Sequence, residues 1–195
     1  MSTQQSARPA LDQPHRGIAH LLHPQVLGAI IGSAGASAFV FVNKDILPEP
    51  WPSVAVVAWA LTLLGCAWTV LLRARRLREL EAPHPRAGLV YTAAVAGMLG
   101  AFLFGRVVLD AVGLPELQPA VIVMAVGLHF VPFAHVFDAP VFGALGWSIF
   151  AVGLLSLLLG LAAGAVFVAA GAVATGLLML AFIGLDAMHD ERVLG

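Results

Sequence analysis

PAVIVMAVGLHFVPFAHVFD, residues 119–138, is long and apolar enough to cross a membrane, yet it carries His129 near its middle and Pro132 three residues later. About 20 residues at a 1.5 Å rise cross a hydrocarbon core of roughly 30 Å. The rest of the chain reads as packing around such a segment. Of its 195 residues 60% are hydrophobic and only 11% charged, and its mean hydropathy is +0.94. A soluble domain of this length needs more polar cover than that. With lipid as solvent the conflict disappears.

Further apolar segments lie near 25–43, 52–72, 87–107, 140–158 and 162–184, which with 119–137 makes six. Lipid offers backbone groups no hydrogen bonds, so each segment is expected to be a helix. The expected fold is an all-α polytopic membrane bundle of six transmembrane helices. Residues 1–16, polar and with two prolines, read as a disordered cytoplasmic tail, 17–186 as the membrane domain and 187–195 as a short cytoplasmic tail. The stretch Leu159-Gly160-Leu161-Ala162-Ala163-Gly164 carries no charge, so segments five and six call for a tight, glycine-mediated turn. A competing reading makes the first segment a secretory signal, cleaved after Ala36-Ser37-Ala38 and leaving five spans.

Lys and Arg set the orientation. Arg73, Arg75, Arg76, Arg78 and Arg86 sit between segments two and three, which places that loop in the cytoplasm and both termini with it. Arg8, Arg16 and Arg192 join them inside, against Lys44 and Arg106 outside. Trp51 between Pro50 and Pro52 suits the outer interface. The richness in Ala, Gly, Leu and Val suits a GC-rich bacterial gene, hence a bacterial cytoplasmic (inner) membrane. A net charge of −1 leaves no basic field for nucleic acid. The expected partners are the lipid bilayer and a homodimer mate or other membrane protein.

Several groups of residues are candidates for function. Gly28-x-x-x-Gly32-x-x-x-Ala36 and Ala93-x-x-x-Gly97-x-x-x-Ala101-x-x-x-Gly105 each put small residues on one helix face, for packing inside the chain or between copies. His129 sits near the midplane, where an ionisable side chain is costly and belongs in the bundle interior or a wet cavity. Pro132 removes a backbone donor and frees a carbonyl near Leu128 and His129. Together they make a polar site beside a bend. The alternative is a neutral packing histidine bonded to a carbonyl, serine or threonine of a neighbouring helix. Arg106 and Asp110, at i and i+4, pair if the helix runs on to Val112, or line the outer mouth of a path to His129.

At the cytoplasmic edge the topology gathers His20, His23, His135, Asp138, Asp186, His189 and Asp190. Of these His135, Asp186, His189 and Asp190 form the candidate set for zinc or another divalent ion. Asp138 ahead of Pro140 is placed to cap segment five. LLRARRLRELEAPHPR, residues 71–86, reads as a helix continuing past the membrane, with Arg75 and Glu79 at i and i+4. Its arginines Arg73, Arg75, Arg76 and Arg78 are candidates for anionic lipid headgroups, or simply hold segment two in place.

No cofactor is called for. The lone Cys66 forms no disulfide or cysteine cluster within the chain. A haem between helices wants a second midspan histidine, which no other segment has. The sequence holds no Walker A loop, no G-x-S-x-G and no dinucleotide fingerprint. Two readings lead: small-molecule transport or sensing through His129 and Pro132, and a non-catalytic scaffold or accessory subunit packed through small-residue faces. An intramembrane enzyme using the cytoplasmic histidines and acids ranks below both.

Overall fold

The computed structural model describes residues 15–75 and 85–189. Six long helices make up most of it: α1 (Pro24–Asn43), α2 (Trp51–Ala67), α3 (Ala87–Ala111), α4 (Gln118–Val136), α5 (Pro140–Ala163) and α6 (Ala165–His189). With the short turns that extend some of them, all six are long and apolar enough to span a membrane. The chain is a multi-pass helical bundle in contact with a lipid bilayer.

The ends of the helices follow local chemistry. Four helices have proline in their first turn (Pro24, Pro52, Pro119 and Pro140), where its missing N–H is not needed. His23 caps α1, its Nδ1 accepting the Gln25 N–H at 3.4 Å. The turn between α5 and α6 is tighter than the six-residue stretch allowed for. Both helices run into that stretch, and only Gly164 separates them, at φ +101°, a conformation that side chains disfavour.

Two local expectations are corrected. Asp138 does not cap α5: it takes φ +46°, and the cap position falls to Ala139 without a side-chain bond. The helix of segment two does not continue through the arginine cluster. It ends in a wider π turn, Trp68–Leu72, after which Arg73 is extended. Ala74–Arg75 then pairs antiparallel with His15–Arg16. The cause is local. The Thr69 hydroxyl donates back to the Gly65 and Cys66 carbonyls, and Gly17 sits so close to the Val70 carbonyl that a Cβ there would overlap it. α6 itself runs to His189. The other tail residues, together with Arg76, Arg78, Glu79 and Asp190, lie outside the described residues.

α6 is the hub. Its apolar window is 44% buried, against 6% for α3. It packs on α1, α2 and α5, with a smaller contact to α4. α5 in turn lies along α4, and α3 packs chiefly on α4 among the long helices, at the edge of the bundle. The core gathers Val26, Ala36, Cys66, Val123, Ile149, Met179 and Leu180.

Close packing is set by glycines. The buried residues of α5 are Leu145, Gly146, Ile149, Gly153, Ser156 and Gly160. Gly146, Gly153 and Gly160 recur every seven residues, a spacing that keeps them on one stripe, of which Gly146 and Gly153 meet α4 and Gly160 meets Val168 of α6. A Cβ on Gly127 would lie 2.5 Å from the Phe150 nitrogen and 2.7 Å from the Gly146 oxygen. One on Gly153 would lie 2.8 Å from Met124 Cγ. In the expected small-residue faces, Gly32 meets Ile183 Cδ1 at 2.9 Å and Gly105 meets Val121 Cγ1 at 2.6 Å, both measured to a Cβ placed on the glycine. Gly28 and Gly97 have nothing within 4 Å, so packing inside the chain does not use them.

A polar chain ties α1 to α2. The Trp59 indole N–H donates to Ser37 Oγ at 2.9 Å, and Ser37 donates to the Ser33 carbonyl at 2.8 Å. Ser33 Oγ lies 3.8 Å from Cys66 Sγ.

Gly127→Ala is expected to destabilise the bundle by about 1–3 kcal/mol, because backbone meets the new methyl on two sides. Gly97→Ala is expected to be neutral or to stabilise by up to about 1 kcal/mol through helix propensity alone. Unfolding in mixed micelles measures both, and equal losses would refute the assignment of close approach to Gly127. By the same assay Ser37→Ala should cost about 0.6 kcal/mol, with about 1.7 as the upper bound for an interhelical bond in a membrane.

Candidate functional site

α4 carries two working faces. Gly127 and Val131 press against Gly146 of α5. The other face, which includes Val121, Ala125, Leu128, His129 and Pro132, turns towards α3. The two helices run antiparallel, and two close contacts bracket the seam between them. At one end Gly105 closes on Val121, and the Gln118 amide N–H donates to the Phe102 carbonyl at 2.9 Å. At the other end Tyr91 stacks on Phe133, with ring centroids 5.5 Å apart. Between these contacts the helices part, and a groove of about 420 Å³ opens.

The register that sets Gly105 opposite Val121 and Tyr91 opposite Phe133 brings Gly97 level with Leu128 and His129. Nothing lies within 4 Å of where a Gly97 side chain would begin, so the groove is open there. Its α3 wall is Ala93, Ala94, Gly97, Met98 and Ala101, and Phe150 of α5 contributes to its lining. The expected small-residue stripe of α3 is therefore divided: Gly105 packs, while Ala93, Gly97 and Ala101 line open space.

His129 is the one ionisable side chain in the groove. Its Nδ1 lies 2.5 Å from the Val126 carbonyl, three residues back on the same helix. A carbonyl only accepts, so Nδ1 carries the proton and Nε2 presents a lone pair. The bonded carbonyl thus belongs to α4 itself, where the packing alternative called for a neighbouring helix. His129 also lies 4.1 Å from Phe130 and 5.4 Å from Phe133, centroid to centroid. Pro132 does not break α4, which runs on to Val136. It withholds one donor, the N–H that would otherwise reach the Leu128 carbonyl.

The other candidates lie elsewhere. Arg106 and Asp110 pair at 2.7 Å, as their spacing predicted, on the exposed side of α3. They are not part of the groove lining, so the structure does not join them to His129. His135 is exposed near the end of α4, Asp186 is half-buried on α6, and His189 closes α6. Among the described residues no three His, Cys, Asp or Glu side chains come together as a metal site would need. Arg73 and Arg75 follow the π turn of α2.

The sequence reading missed Tyr91, Met98, Met124 and Phe150, which bound or line the groove, and Gln118, whose Oε1 is buried without a hydrogen-bond partner. A signal for Tyr91 was available, since it is the chain's one tyrosine and stands near the start of a span. No protein-family model, curated protein or solved structure matches the chain.

With ¹⁵N-labelled histidine in nanodiscs, His129 is expected to show a protonated Nδ1 and a bare Nε2, its resonances identified by their loss in His129→Gln. The opposite tautomer would mean that the Val126 contact is no hydrogen bond.

Proposed function

We propose that this protein binds a small molecule from within the bilayer, for transport or sensing, at the α3–α4 groove where His129 and Pro132 lie. The observation that carries this reading is the groove itself. It holds about 420 Å³, inside the range of roughly 300–1,000 Å³ common to small-molecule sites. Its walls are apolar apart from one titratable side chain at midspan, the pattern in which a few placed polar groups orient an apolar ligand. The separation of His129 from Arg106 and Asp110 favours entry from the side over a polar path across the membrane. The distribution of arginines supports a cytoplasmic placement for the segment from Arg73 to Arg86, with both termini on that side and a bacterial inner membrane as the setting.

One observation favours a second reading, a scaffold or accessory subunit. α3 turns Leu99, Leu103, Phe104 and Val107 outwards, and Gly28, Gly97 and Gly100 meet nothing within 4 Å. Such faces admit a partner helix or a second copy. In that case the chain co-purifies at fixed stoichiometry with that partner.

A small carbene probe, trifluoromethyl-phenyldiazirine, tests the first reading on the full chain in nanodiscs. Photolabelling is expected to concentrate on Met98, Met124 and Leu128 and to saturate. Gly97→Leu, which fills the groove from a position where the Cβ meets nothing, should reduce that labelling about tenfold or more. Labelling spread evenly over the lipid-facing helices and unchanged by Gly97→Leu would refute the site.

A further inference from the structure

We infer that the occupant of the α3–α4 groove is a membrane-dissolved molecule with an apolar body and a single hydroxyl donor, a long-chain alcohol or phenol, whose O–H is accepted by Nε2 of His129. This rests on the groove being a binding site, and adds the chemistry of the ligand.

The argument starts from the tautomer. With its proton held on the Val126 carbonyl, Nδ1 is spent. Among the described residues Nε2 has no hydrogen-bond partner, and it is not one of the buried, unpaired polar atoms. It is therefore reachable, and it asks for a donor.

The remaining lining then excludes one class after another. Ala93, Ala94, Gly97, Ala101, Leu128 and their neighbours offer no charge to pair a carboxylate, ammonium or phosphate, which would be stranded at midspan. An acyl chain, ketone or ester brings no donor, and leaves Nε2 unpaired at a cost of about 1–3 kcal/mol. An amide brings its donor together with a carbonyl for which the side chains lining the groove hold no partner. A lone water would find Nε2 and at best the Leu128 carbonyl, the lower limit of the two to four partners a buried water needs. A divalent ion lacks companions, since among the described residues no second or third ligand joins His129. A hydroxyl on an apolar body meets the one side-chain acceptor of the groove with its single donor, and brings no second polar group that needs a partner.

The test compares 1-tetradecanol with its methyl ether, which has the same chain and oxygen but no donor. Both are added to the full-length protein with ¹⁵N-labelled histidine in nanodiscs. The alcohol is expected to shift Nε2 of His129 saturably and to leave Nδ1 in place. The ether should give no such shift and bind about 2- to 10-fold more weakly, the range of one net hydrogen bond. Gly97→Leu should abolish the alcohol's effect. If alcohol and ether act alike, or neither moves Nε2, while diazirine labelling still maps to the groove, the hydroxyl claim is wrong and the site stands. If the alcohol's shift survives Gly97→Leu, it arises outside the groove and the claim is wrong. If diazirine labelling also ignores Gly97→Leu, both the claim and the site fall.

Discussion

In lipid, two apolar helices gain nothing by hiding from water, so they hold together by how closely their backbones approach. The contact between α4 and α5 rests on this. Gly127 and Gly146 bring the two chains so near that a methyl group on either would run into backbone. Dispersion contacts are weak singly and strong in number, and they fall off steeply with distance. Glycine is the residue that lets many of them form. The same device recurs where Gly160 meets Val168, where Gly171 meets Ser156 and where Gly176 meets the Ala36 carbonyl. α6 can be the hub because α1 and α5 both reach it through such places. Hydrogen bonds between helices are few by comparison, and the Trp59–Ser37 bond is the clearest of them.

The same constraint explains α3. It has one long partner, α4, and closes on it by glycine only at Gly105. More than two turns away Gly97 has nothing within 4 Å, and beyond it the Tyr91–Phe133 stack links the two helices again. The groove is the space between a glycine contact and an aromatic contact. It needs no special loop and no broken helix, which is why Pro132 can stand in a continuous α4.

The spans were legible because lipid leaves one signal dominant. Twenty or so apolar residues in a row can be little else, and all six segments proved helical. The turn at Gly164 and the Arg106–Asp110 pair were legible for a similar reason: each depends on neighbours in sequence. What could not be read was which small residue meets which. Spacing of four drew attention to Gly28, Gly32 and Gly97, whereas the tightest stripe, Gly146-Gly153-Gly160, repeats at seven. Nor does a stripe reveal whether its helix has a neighbour, as the contrast between Gly105 and Gly97 makes plain. α2 ends where it does because Thr69 folds back and residues 15–16 compete for the backbone of residues 74–75, a partnership distant in sequence. His129 drew attention by its place near the middle of α4, but its bonded carbonyl was sought on another helix and lies one turn back on its own.

That local bond bears on where such a residue can sit. A histidine whose two nitrogens both needed partners from other helices would have to lie among several helices, whereas His129 faces the seam between α3 and α4. By giving Nδ1 to Val126, α4 satisfies half of the ring by itself, and what is left is a single acceptor. One acceptor at the edge of an open seam is tolerable in a membrane if something in the bilayer can meet it. The placement of His129 and the opening of the α3–α4 seam are then two sides of one arrangement: the seam gives the ring space, and the ring is the one titratable side chain that lines it.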